Sequence, residues 1–182
     1  LAEAYVNLAD LLVKSDDRDG FSEAFALLRK AAAMGNGKAC LRIAEIHLSG
    51  NHASRDRAEA VKWLRQGADF GDPLAQFRLG LLYAAGDGVA KDSTEALGWF
   101  HRAADAGFAP AQFKLGQYYA KADETAKDPV RAAQYLAKAT EQGYVRAQRQ
   151  LGICYFYGNG VAKDVDAAIE WLRRRTPRAR RA

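Results

Sequence analysis

Apolar residues along the chain recur at intervals of three and four, which is the period of an amphipathic α-helix. Within residues 72–107, one such run includes Ala75, Leu79 and Tyr83, and a second run begins at Ala96. A glycine-rich stretch separates the two runs, and glycine is typical of a tight turn. This stretch therefore predicts a pair of helices, which we call helix A and helix B, joined by a short turn.

The same pattern recurs every 36 residues, with one residue fewer between the first copy and the second. The A-helix motif Ala-x-x-x-Leu-Gly-x-x-Tyr begins at Ala75, Ala111 and Ala147, and looser copies begin at Ala4 and Ala39. The B helices carry aligned alanines at Ala24, Ala60, Ala96, Ala132 and Ala168. One helix pair cannot bury its apolar face alone, so stacked neighbours must form the core. The sequence predicts an all-α solenoid of about five antiparallel helix-pair repeats, at residues 1–36, 37–72, 73–108, 109–144 and 145–175.

Residues at the predicted helix ends support this division. An aspartate precedes an A helix at Asp72 and B helices at Asp56, Asp92, Asp128 and Asp164. Aspartate at this place caps a helix N-terminus, and Glu95 three residues after Asp92 suggests a capping box. Glycine closes the B helices at Gly35, Gly71, Gly107 and Gly143, as expected for left-handed C-caps. The turns Gly86–Gly88 and Gly158–Gly160 are expected to use positive φ angles.

The combined pattern resembles the Sel-1-like repeat, a relative of the tetratricopeptide repeat. Its parts are Ala-x-x-x-Leu-Gly-x-x-Tyr, Gly-x-Gly-Val-x-x-Asp and Ala-x-x-Trp-Phe/Leu-x-x-Ala-Ala, and the resemblance covers residues 1–175. It implies a right-handed α-solenoid that acts as a non-catalytic scaffold or adaptor for a protein or peptide partner. It also implies a bacterial periplasmic or cytoplasmic protein of an envelope, signalling or secretion-related system. Some secreted members carry a cysteine pair in each repeat, and this chain does not.

Charge changes this picture only at the C-terminus. The net charge is +5, yet the last ten residues hold six arginines and no acid, so the rest is near neutral. Residues 176–182 are expected to form a disordered basic tail. Binding of nucleic acid or an anionic surface through this tail is the alternative function, although no groove-reading element accompanies it. No apolar run is long enough to cross a membrane.

Residues that usually carry catalysis or ligate metals do not cluster in the sequence. His47 takes the place of a packing tyrosine, while His52 and His101 lack the spacing of a metal motif. Cys40 and Cys154 lie three repeats apart, too far for a disulfide, and each is expected to be a buried apolar residue. The turn Gly86–Gly88 lacks the lysine and hydroxyl residue of a phosphate-binding loop. We therefore expect no enzyme, no cofactor, no metal and no small-molecule substrate.

A partner-binding surface is the better functional candidate. Leu41, Phe77 and Phe113 share one position on the A helices, away from the packed side, and Arg149 takes the same place in the fifth copy. Leu81 and Ile153 lie beside them. In a tetratricopeptide-like stack these positions line the concave face. The residues are expected either to bind a partner there or to be covered by neighbouring A helices.

A basic row accompanies this apolar stripe. Arg42, Arg78 and Lys114 each follow a stripe residue by one position. The row is expected either to attract an acidic peptide or to be solvated helix surface. The outward faces of the first and last repeats lack an evident polar cap, which predicts that the native chain continues or that the array ends self-associate.

Overall fold

The structure is a computed structural model, and it describes residues 1–13, 18–49, 56–121 and 127–173. All regular secondary structure in these residues is α-helical, so the predicted all-α fold is confirmed. The ten helices of the described residues are α1 (Ala2–Leu12), α2 (Arg18–Ala33), α3 (Gly37–Ser49), α4 (Arg57–Asp69), α5 (Pro73–Ala85), α6 (Ser93–Asp105), α7 (Ala109–Lys121), α8 (Pro129–Glu141), α9 (Val145–Tyr157) and α10 (Val165–Arg173). Odd-numbered helices correspond to the predicted A helices and even-numbered helices to the B helices.

Some sequence predictions concern residues that the structure does not describe. The second turn with His52, the fourth turn at 122–126 and the arginines after Arg173 lie outside the described residues. Tail-mediated binding therefore stays a prediction. In the part of the chain that the structure describes, no helix is long and apolar enough to cross a membrane.

The predicted N-caps form as expected. Asp72 Oδ1 accepts a hydrogen bond from the Ala75 amide at 2.7 Å. Equivalent bonds of 2.9 Å cap the B helices at Asp56, Asp92, Asp128 and Asp164. Each bond satisfies one amide that the first helical turn leaves without a partner.

Only half of the predicted capping box at Asp92 forms. The prediction that the Glu95 side chain accepts a hydrogen bond from the Asp92 amide was wrong. Glu95 accepts a hydrogen bond from the Trp99 indole, while the Asp92 amide donates to the Tyr83 carbonyl of the preceding A helix. The turn between α5 and α6 brings that carbonyl within reach, so the Asp92 amide does not need the Glu95 side chain.

The described helices fall into two compact units, Leu1–Ala103 and Ala104–Ala182, and each is described by itself. In the first unit, α1 to α5 pack against one another in chain order, and α3 also contacts α5. In the second unit, α7 packs on α8, α8 on α9 and α9 on α10. Each core consists of small and branched apolar residues from consecutive helices, including Ala9, Leu28 and Ile43 in the first unit and Leu136 and Leu151 in the second.

Glycine in the A helices leaves space for the paired B helix, as the sequence predicts. A Cβ atom added at Gly80 would lie 2.7 Å from the Phe100 ring. A Cβ atom at Gly116 would lie 2.9 Å from Leu136. Because real Cβ contacts are not this short, glycine is required for the close approach.

A buried glutamine links each of two A helices to the B helix before it. The Gln76 side-chain amide donates to the Ala68 carbonyl at 3.1 Å, and that of Gln112 donates to the Ala104 carbonyl at 3.2 Å. Both acceptors lie near the C-terminus of a B helix, where carbonyls lack intrahelical partners. Both bonds are buried, so each contributes to the geometry between consecutive helices.

The second glycine of the Gly-x-Gly turns has a packing role besides its left-handed conformation. Gly88 has φ of 74°, and a Cβ atom there would lie 2.6 Å from the Arg57 carbonyl oxygen. Gly160 approaches the Pro129 carbonyl oxygen in the same way. The turn after an A helix therefore packs directly on the first turn of the preceding B helix.

Candidate partner-binding groove

The predicted apolar stripe is mostly used for internal packing. Leu41 is only 5% exposed, so it belongs to the core and is not available to a partner. Phe77 is half-buried, with its ring centroid 5.6 Å from that of Phe100. Phe113 is also half-buried, 5.3 Å from the Tyr144 ring. These contacts favour the packing interpretation for all three residues.

Two neighbours of the stripe remain open to solvent. Leu81 is 36% exposed on α5 and Ile153 is 41% exposed on α9. Arg149 and Lys114 are exposed as well. Of the nine residues proposed from the sequence, these four and Arg42 are exposed, and Arg42 is engaged in ion pairs with Asp10 and Glu45.

The basic row is neutralised in the first unit. Arg42 Nε lies 3.1 Å from Asp10 Oδ1, and another guanidinium nitrogen of Arg42 lies 2.9 Å from Glu45 Oε2. Arg78 contacts the other oxygen of Glu45 at 2.7 Å. We call the series Asp10, Arg42, Glu45 and Arg78 the ion-pair ladder. It joins α1, α3 and α5, so these arginines have acidic partners within the chain and are not a free cationic surface.

The second unit lacks the charges of this ladder at two equivalent repeat positions. Glu45 and Arg78 occupy the same repeat positions as Gln117 and Gln150, each 72 residues later. The two glutamines carry no charge and cannot form the ion pair. Instead, both line a groove of about 450 Å³, which we call the α7–α9 groove.

The α7–α9 groove is built by three helices and the ends of two turns. Its lining is Gln117, Ala120 and Lys121 from α7, Pro129, Ala132 and Leu136 from α8, Gln150, Ile153 and Cys154 from α9, and Lys127 and Asn159 from turns. Small and branched apolar side chains therefore lie beside three amides and two ammonium groups. Such a lining suits a ligand that has both apolar side chains and hydrogen-bonding groups.

Among the described residues that line the groove, there is no histidine, aspartate or glutamate to act as a base. Burial raises the pKa of the Cys154 thiol. Burial also raises the pKa of Cys40, in the first unit, to about 11. Both cysteines are free, as predicted, and both stay protonated at neutral pH, whereas the thiolate is the nucleophile. The described residues contain no group of three or more potential metal ligands.

Comparison with known proteins decides the family. A sequence model of the Sel1 repeat matches residues 2–36, 37–72, 73–108, 109–144 and 145–174. The chain belongs to the Sel1 repeat family. Proteins built from Sel1 repeats generally form non-catalytic scaffolds that bind other proteins. A search of curated proteins gives no significant match.

Solved structures support the solenoid fold of this Sel1 repeat chain. It is 32% identical to c5321, a protective antigen of uropathogenic Escherichia coli strains with an SLR fold, at a TM-score of 0.84 over 95% of this chain. The matched region is 37% of that protein's length. A Sel1 repeat protein from Oxalobacter formigenes is 31% identical, with a TM-score of 0.80 over 95% of this chain and 69% of that one.

A more distant structure shows the fold alone. The immunity protein Pa5087 from Pseudomonas aeruginosa is 24% identical, with a TM-score of 0.59 over 94% of this chain and 64% of that one. This likeness shows that a similar helical fold occurs at low overall sequence identity.

Sequence reasoning missed the ion-pair ladder, although a signal for it was present. An acid on one A helix and an arginine on the next recur 32 residues apart at Asp10 and Arg42, and 33 residues apart at Glu45 and Arg78. This spacing is seen only when charges on consecutive A helices are compared, and not when each helix is considered alone.

Proposed function

We propose that this Sel1 repeat chain is a non-catalytic scaffold that binds a peptide or protein segment in the α7–α9 groove, as part of a bacterial envelope, signalling or secretion-related system. The family supports this proposal, and so does the apolar and amide character of the described residues that line the groove. Ile153 is the member of the predicted site that lines the groove. Arg149 and Lys114 lie on the same helices, α9 and α7.

The observation that carries the proposal is the exchange of an ion pair for two glutamines. In the first unit, Glu45 and Arg78 connect α3 to α5 at 2.7 Å and occupy this surface. At the same repeat positions, Gln117 and Gln150 line an open groove. An ion pair in one unit and a groove at the same repeat positions of the other favour the second unit as the binding site.

Closing the groove should abolish partner binding without unfolding the protein. The double variant Gln117→Glu with Gln150→Arg reproduces the charges of Glu45 and Arg78. We expect the partner captured by the wild-type chain from an extract of the source organism, once identified and purified, to bind the variant at least about tenfold more weakly, because the new ion pair competes for the groove. Titration calorimetry with the purified partner measures the change.

Two controls accompany this experiment. Reaction of Cys154 with an aromatic disulfide reagent should be slower in the double variant, which reports closure independently of any partner. Gln134→Glu, an exposed change on α8, should leave both reactivity and binding as in the wild type. Full binding by a variant whose Cys154 is protected would refute the groove as the partner site.

We also propose that the array ends associate with a second copy. Leu172 in the last B helix is 44% exposed, whereas the residues at the same position of the other B helices are 4% exposed or less: Leu28, Leu64, Phe100 and Leu136. Leu8 in the first A helix is also 44% exposed, whereas its equivalents in the other A helices are 3% exposed or less: Ile43, Leu79, Leu115 and Leu151. Between repeats, a B helix packs on the following A helix, as α2 does on α3 and α8 on α9. Contact of α10 with α1 of another copy would continue this interface.

This end-to-end contact predicts concentration-dependent assembly. Sedimentation velocity should show oligomers of the wild-type chain that dissociate on dilution. Ile169→Glu, which places a charge on the exposed face of α10, should leave only the monomer, because burying an unpaired charge is costly. Val130→Glu changes a similarly exposed residue on α8 and should leave assembly unchanged. A wild-type chain that is monomeric at every concentration would contradict the contact.

A further inference from the structure

The two A helices that border the α7–α9 groove are basic throughout. Helices α7 and α9 contain Lys114, Lys121, Arg146 and Arg149 and no acidic residue. In the first unit, α1 carries Glu3 and Asp10 and no lysine or arginine, and α3 carries Glu45 besides Lys38 and Arg42. We infer, building on the proposed function of the groove, that its occupant is an acidic peptide segment in extended conformation.

The cations of this region lack acidic partners among the residues that the structure describes. None of Lys114, Lys121, Lys127 and Arg149 forms an ion pair with another described residue. Two acidic residues of the second unit already have partners elsewhere. Asp128 caps α8 and lies 3.3 Å from Arg131, and Asp164 caps α10. In the first unit, by contrast, Lys38, Arg42, Arg57 and Arg78 all form ion pairs.

Two of the unpaired cations lie in the groove lining itself. Lys121 comes from the end of α7, and Lys127 from the residues before α8. Carboxylates placed between two ammonium groups form charge-assisted hydrogen bonds, which are stronger than neutral ones. The positive potential of α7 and α9 would also speed the approach of an acidic segment.

The remaining lining favours a peptide over another polyanion. Gln117, Gln150 and Asn159 offer side-chain amides, which both donate and accept hydrogen bonds and match a peptide backbone. Ile153, which is 41% exposed, offers apolar contact, which a phosphate backbone does not use.

An exposed apolar patch extends this surface along α9. Tyr157 is 67% exposed and lies four residues after Ile153, so it is on the same helical face. Phe156 beside it is 44% exposed, and the two rings pack edge to face at 4.9 Å. The expected ligand therefore combines acidic residues with at least one aliphatic or aromatic side chain.

Selection from a random peptide display library tests this inference. Peptides of about ten residues are long enough, since an extended chain of that length spans about 33 Å. Selection on the full chain, with counter-selection on the Gln117→Glu/Gln150→Arg variant, should enrich sequences that contain aspartate or glutamate and an apolar residue. The enriched peptides, labelled with fluorescein, are then titrated by fluorescence anisotropy.

Charge reversal in the groove should weaken these peptides strongly. Lys121→Glu with Lys127→Glu should raise the Kd at least about tenfold, and raising the salt concentration from about 0.05 to about 0.5 M should weaken wild-type binding. Lys38→Glu with Lys62→Glu makes the same change in net charge on the first unit. That control should leave the Kd within about twofold of the wild-type value, because its site is not the groove.

The other outcomes separate this inference from the proposed function. We call the Gln117→Glu/Gln150→Arg variant the closed-groove variant. If the enriched peptides are neutral or basic and do not bind this variant, the ligand is not acidic, but the groove remains a binding site. If no peptide binds the wild-type chain better than the closed-groove variant, the inference of a peptide ligand is wrong. The groove itself is then tested by the partner captured from the extract. Displacement of every selected peptide by an oligothymidylate, with tighter binding of the oligonucleotide itself, would also overturn the inference in favour of nucleic acid.

Discussion

Leu79→Ala should lower the free energy of unfolding by about 2–5 kcal/mol. Leu79 is fully buried in α5, at the position of the repeat motif that is always aliphatic in the A helices. Removal of its branched end leaves a cavity in the core, which the surrounding residues fill only in part. Urea titration followed by circular dichroism measures the loss.

Leu81→Ala is a matched control in the same helix. The substitution is identical and lies two residues away, but Leu81 is 36% exposed and not required by the repeat motif. We expect a loss of about 1 kcal/mol or less, because exposed substitutions rarely cost more. Equal losses for the two variants would contradict the assignment of Leu79 to the core and of Leu81 to an available surface.

Gly88→Ala should lower the free energy of unfolding by about 3 kcal/mol or more, from two separate causes. The first is the left-handed backbone, since φ is 74° and a side chain there costs about 1–2 kcal/mol. The second is the clash of the new Cβ atom, 2.6 Å from the Arg57 carbonyl oxygen. That oxygen belongs to the first turn of α4, so relief of the clash requires movement of a whole helix.

Gly71→Ala separates the two causes. Gly71 has φ of 84°, yet a Cβ atom there would meet nothing within 4 Å. It should therefore show only the conformational cost of about 1–2 kcal/mol. Equal unfolding free energies for Gly88→Ala and Gly71→Ala in thermal or urea denaturation would mean that the turn does not pack on α4 as described.

Much of this fold follows from local rules that act within one repeat. The spacing of Ala75, Leu79 and Tyr83 predicts the buried face of α5, and all three are buried. Aspartate caps and closing glycines predict the helix ends, because their chemistry needs only the neighbouring backbone. The capping box at Glu95 failed because a carbonyl of the preceding A helix satisfied the Asp92 amide instead.

The candidate site was less predictable because it depends on pairs of repeats. From the sequence, Arg42 and Arg78 form part of a basic row along the A helices. In the structure, Arg42 pairs with Asp10 of α1 and with Glu45 of its own helix α3, and Arg78 of α5 pairs with the same Glu45. Leu41 looked exposed on a helical wheel, yet it is buried. A helical wheel describes one helix in isolation, whereas these side chains are placed by the contacts between helices.

The buried glutamines give the array a further property. Gln76 and Gln112 each reach back eight residues to a main-chain carbonyl, an atom that every residue possesses. This hydrogen bond is therefore indifferent to which side chain the preceding repeat carries at the acceptor residue. A repeat that is duplicated or exchanged with this glutamine in place keeps this one link to its neighbour, whereas the apolar contacts between the helices must be matched anew.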